Sequence, residues 1–106
     1  MDKHCIDVSD VKRELKGQRY CTYSNWYGKK GSDIDILCSD MKAIARLILW
    51  SGPLARKVVV TRYPSQIHID CYMGDGLELR FDLHGKEVIK RTFYQKLKAR
   101  VQWLLR

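Results

Sequence analysis

Two runs of alternating character dominate the second half of the chain. Over Gln66 to Met73 the apolar positions are Ile67, Ile69, Cys71 and Met73, with Gln66, His68, Asp70 and Tyr72 between them. Over Leu77 to Leu83 they are Leu77, Leu79, Phe81 and Leu83, separated by Glu78, Arg80 and Asp82. A period of two marks half-buried strands, and Gly74-Asp75-Gly76 between the runs predicts a hairpin. Shorter strands are expected over Arg19 to Tyr23, Asp33 to Cys38 and Val58 to Tyr63. Helical spacing appears in three places. Val11 and Leu15 predict a short helix over residues 9–16, capped by Ser9 or Asp10 and ended by Gly17. Met41, Ile44 and Ile48 predict a second, opened by Ser39-Asp40 and stopped by Gly52-Pro53. Ile89, Phe93, Leu97, Val101 and Leu104 predict a third over Lys86 to Arg106. The order α-β-β-α-β-β-β-α predicts a single α+β domain, 1–106, with a mixed sheet of about five strands and helices packed on one face.

The hairpin's register follows from its pattern. Both apolar sets must reach the same core, and a slip of one residue would turn a strand inside out. A three-residue loop at Gly74 to Gly76 pairs odd positions with odd. His68 then faces Asp82, and Asp70 faces Arg80. The polar face of the sheet therefore carries Asp70 and Asp82.

The strand over Asp33 to Cys38 adds to that face. Ile34, Ile36 and Cys38 claim the core side, so Asp33 and Asp35 point away from it, with Cα atoms about 6–7 Å apart. Like charges so close repel by about 4 kcal/mol at 4 Å for an effective dielectric near 20. A divalent cation relieves such a pair, and hard cations take carboxylate oxygens. Asp70 already has a cross-strand cation in Arg80, which leaves Asp82 as the third ligand. Asp82 is either a plain cross-strand partner of His68 or a metal ligand that His68 or His84 orients from behind.

Composition narrows the partners. The 106 residues carry 20 Lys and Arg against 12 Asp and Glu, a net charge of +8 that favours anionic partners. The excess is concentrated from Lys86 onward, where seven basic residues face one acid, Glu87. No apolar run reaches the length of a membrane span, and the polar Met1 to His4 start does not resemble a leader, so a cytoplasmic protein without a membrane partner is expected. Cys5, Cys21, Cys38 and Cys71 fit no zinc spacing and are expected as free thiols.

Gly31-Ser32-Asp33-Ile34-Asp35-Ile36, a following helix, and a later strand ending Phe81-Asp82-Leu83 resemble the polymerase β-like nucleotidyltransferases, in particular their small stand-alone or polysaccharide-synthesis-associated members. The resemblance spans residues 9–85. It implies that Asp33, Asp35 and Asp82 hold two Mg²⁺ ions around a nucleoside triphosphate, and that an acceptor attacks the α-phosphorus with release of pyrophosphate. It further implies that Asp82 accepts the acceptor's proton, and that Ser24, Gly28, Lys29, Lys30 and Ser32 form the nucleotide-binding end. Trp26 and Tyr27 would stack on a base or pack onto the domain.

One element departs from the family pattern. The glycine that usually precedes the loop serine is Tyr23, and eight residues separate Ser24 from Asp33. Glycine permits close backbone approach to a phosphate, which a tyrosine obstructs. The alternative function is therefore a catalytically impaired nucleotidyltransferase-like binding module. It would act through a protein partner or self-association, using the C-terminal helix and its apolar stripe. Nucleic-acid binding through the basic C-terminal face is the third and least favoured reading, because the acids on the sheet break up a uniform basic footprint.

Overall fold

A computed structural model of the chain describes residues 3–18, 20–22, 26 and 28–85. Tyr23, Ser24, Tyr27 and the helix expected over 86–106 lie outside the described residues. The order is α1 (Ser9–Leu15), β1 (Tyr20–Thr22), β2 (Ser32–Cys38), α2 (Met41–Ser51), β3 (Lys57–Arg62), β4 (Gln66–Tyr72) and β5 (Leu77–His84). The result is a small α+β unit built on a mixed sheet. Four strands of six to eight residues carry it, with the three-residue β1 at one edge.

The sheet order is β1-β2-β5-β4-β3. Only β2 and β5 run parallel; the other neighbours are antiparallel. Side chains on one face of the sheet form the core with the helices. Ile34 and Ile36 of β2, Ile69 and Cys71 of β4, and Leu79, Phe81 and Leu83 of β5 are fully buried there. Val11 and Leu15 of α1 and Ile44 and Ile48 of α2 close over them, at the spacing the sequence predicts. Trp26 packs against the same cluster.

Local signals set the element ends. Asp40 caps α2, its side chain accepting from the Ala43 amide at 3.1 Å, and Gly52 ends the helix at φ 66°, where a side chain would be strained. At α1 the helix starts after Val8, which has no capping side chain. Asp7 supplies the turn instead, accepting from the Ser9 amide at 2.9 Å and the Ser9 hydroxyl at 2.6 Å. The β4–β5 register matches the predicted pairs His68 with Asp82 and Asp70 with Arg80. Near the turn it shifts: Tyr72 pairs with Leu77, so Glu78 is the extra residue of a bulge and the connection spans 73–76. Among the described residues no helix is long and apolar enough to cross a membrane.

Candidate metal centre

The face of the sheet opposite the helices carries the acids. The parallel pairing of β2 with β5 puts Asp35 directly across from Asp82, and Asp33 across from Arg80. The sequence patterns of the two segments do not by themselves make them neighbours. Two carboxylates in register on adjacent strands are destabilising unless something between them is positive.

Two imidazoles lie against this pair. His84 Nε2 lies 3.2 Å from Asp35 Oδ1 and 3.5 Å from Asp82 Oδ2. On the ring's other side the Gln66 side-chain amide pairs with Nδ1 at 3.2 Å, and Nε2 faces the carboxylates. His68 approaches Asp82 Oδ1 at 3.2 Å, its ring held edge-on by Tyr63 at 5.0 Å between centroids. That approach is misaligned for a hydrogen bond, and Asp82 Oδ1 is buried without a hydrogen-bond partner. Burial pushes the Asp82 carboxyl above the ordinary carboxylate range. His84 and His68 oppose the shift, while Asp35 and Asp33 add to it.

One oxygen each from Asp35 and Asp82 and one nitrogen from His84 lie within 4.8 Å of one another. This donor set fits a single divalent cation. It differs from the expected triad, since His84 takes the third place and Asp33 stands beside it. Asp33 is two residues from Asp35, next to an arginine already engaged by Asp70. Arg80 Nε and Nη2 donate to the two Asp70 oxygens at 2.6 and 3.1 Å. Gln66 can support His84 in either state, because turning its amide over offers an oxygen to Nδ1–H when Nε2 binds a metal.

The residues expected to hold the nucleotide are not gathered on this face. Ser24 lies outside the described residues. Ser32 alternates with Asp33, so its hydroxyl turns to the core side, buried and without a hydrogen-bond partner. Lys30 Nζ is drawn to the buried Glu78 carboxylate at 3.7 Å. Glu78 also accepts from the Cys5 amide at 2.8 Å, and these contacts hold it below the usual carboxylate range. Gly28 and Lys29 join the N-terminal segment: the His4 amide donates to the Gly28 carbonyl at 3.1 Å, and Lys29 bridges Lys3. Gly31 has a structural role in the motif. Its φ of 81° makes the turn into β2, and its amide donates to the Glu78 carbonyl at 2.8 Å.

No family model, curated protein or solved structure matches the chain.

Proposed function

We propose that the chain is a divalent-cation-dependent nucleotidyltransferase whose metal centre is Asp35, Asp82 and His84, with Asp33 beside it. The observation that carries the proposal is the meeting of Asp35 and Asp82 across the parallel β2–β5 pair, with Asp82 Oδ1 buried and lacking a hydrogen bond. A cation held there would supply Lewis acidity toward a phosphoryl oxygen. The protein's own part is to hold two carboxylates in register, to fix the imidazole through Gln66, and to keep Asp82 poised to accept a proton. The resemblance in Gly31 to Ile36 supplies the reaction class: transfer of a nucleoside monophosphate from a triphosphate to an acceptor, with Mg²⁺ as the expected ion.

The test is a melting curve of the protein with Mg²⁺ or Mn²⁺, alone and with each nucleoside triphosphate, together with an assay for pyrophosphate release. The proposal expects stabilisation by the cation, further stabilisation by a triphosphate, and loss of both in Asp35→Asn. Melting curves that neither cation nor triphosphate moves would refute it.

A second reading keeps the cation and drops the transfer. It is favoured by the engagement of Lys30 by Glu78 and by the core-facing hydroxyl of Ser32, which leave the phosphate end sparsely furnished. In that reading the domain is a binding module that acts through a protein partner or a second copy. Stabilisation by the cation without any effect of a triphosphate would select it.

A further inference from the structure

Among the described residues the helix face of the sheet is not covered to its edge. The α2 helix lies over β4 and β5, so Val58 and Val60, which share the core side of β3, remain exposed. In the last turn of α2 Trp50 is 88% exposed, and Leu54 after the helix is 73% exposed. Between α2 and β3 runs a groove of about 80 Å³, room for one or two aliphatic side chains. Leu49, Val60 and Ile67 line its apolar part, and Lys42, Arg46 and Arg62 its charged part. No acid lines the groove, and among the described residues none of these three cations forms an ion pair. Arg56 and Lys57 extend the positive charge along β3.

Charge on an edge strand can serve simply to prevent edge-to-edge association. That role accounts for Lys57 and Arg62. It does not account for Lys42 and Arg46, which sit one helical turn apart on α2, over the groove. Cations ringing an aliphatic floor fit a ligand that is both anionic and aliphatic.

We propose that this groove docks an extended segment of a partner protein in which acidic and aliphatic residues alternate, lying alongside β3. Charge complementarity selects this occupant. A second copy of the chain would bring the same cations to the same edge and a net charge of +8. A nucleic acid would meet the same cations and the exposed Trp50, but the aliphatic floor of Leu49, Val60 and Ile67 gives bases no stacking surface. The surface is on the opposite face of the sheet from the acids, so the proposal stands independently of the metal centre.

The experiment measures fluorescence anisotropy of a labelled peptide alternating Glu with Val and Leu, titrated with the full chain. Control probes are the same peptide with Lys for Glu, polyglutamate and oligothymidylate. The expected result is saturable binding of the alternating peptide alone, weakening as salt rises. The double variant Arg46→Glu, Arg62→Glu should weaken it about tenfold or more. Leu49→Ser should weaken it too, and Asp35→Asn should leave it unchanged. All four positions are exposed or half-buried, and unchanged circular dichroism would confirm that the variants fold. The proposal is overturned by no saturable binding to the native chain, by equal binding to the charge-reversed variant, or by tighter binding of polyglutamate or oligothymidylate. A native dimer in sedimentation that charge reversal dissociates would also overturn it, assigning the groove to a second copy.

Discussion

Replacing Asp82 by Asn should make the cation-free protein more stable at neutral pH. At 4.8 Å, the outer limit of the donor spacing, two carboxylates repel by about 3.5 kcal/mol for an effective dielectric near 20. The Asp35 side chain is 39% exposed, so solvent screens away much of that repulsion. Losing the attraction of His68 and His84 offsets part of the rest, and a net gain of about 1 kcal/mol is expected. For a domain of this size that is a rise in Tm of about 4 °C or slightly more. The pH dependence fixes the cause. Burial raises the Asp82 carboxyl above its ordinary range, so the folded state holds that proton more tightly than the unfolded chain. The resulting stability is present below the ordinary carboxylate range and is lost as pH rises through the raised folded value. Native protein and Asp82→Asn should therefore melt together in acid and separate as pH increases. Manganese should reverse the order. It would stabilise the native chain by about 2.7 kcal/mol at a hundredfold excess over Kd and leave the variant unmoved. The assay is a series of urea or thermal melts across pH, with and without the cation. A variant less stable than the native chain at neutral pH without cation would refute the reasoning, because Asp82 would then be held by its histidines alone.

Other expectations concern the scaffold. Phe81 is fully buried on the central strand, and Phe81→Ala should lower stability by about 3–5 kcal/mol, read as a fall in urea midpoint. Glu78→Gln should cost about 1–2 kcal/mol at neutral pH, since the carboxylate ties the Cys5 amide and Lys30 to β5. Its carboxyl is held below the usual range, so that cost should be largest above the ordinary carboxylate pKa and vanish as pH falls through the lower folded value. Burial pushes the Cys38 and Cys71 thiols up to about 11, so alkylation followed by peptide mass spectrometry should find them protected in the native state, with the exposed Cys5 modified before either.

The hairpin was legible because its pattern is local. Alternation in Gln66 to Met73 and Leu77 to Leu83 sets which residues share a face, and His68 opposite Asp82 follows. The bulge at Glu78 was not legible, because both strand patterns survive it up to the turn. The same alternation places the Ser32 hydroxyl on the core side of Asp33, a conflict with a nucleotide-binding role that the motif's likeness to a family overshadows. His84 shares the parity of Asp82, which was the available sign that it could join the acids as a donor and not only stand behind one. What no local signal carries is the pairing of β2 with β5. Parallel neighbours drawn from distant parts of a chain are chosen by the packing of the whole sheet, and that choice brings Asp35, rather than Asp33, to Asp82.

That parallel pairing also has a consequence for the order of assembly. Nearly half the chain lies between Asp35 and Asp82, while β4 and β5 are joined by a short turn. Closing the larger loop is slower, so the hairpin and its Asp70–Arg80 pair can form before β2 arrives. The three candidate donors therefore meet only once β2 has joined β5. A cation that needs all three would not template the hairpin that forms first. Bound there, it would act as a latch on the joined strands, slowing unfolding much more than it speeds folding.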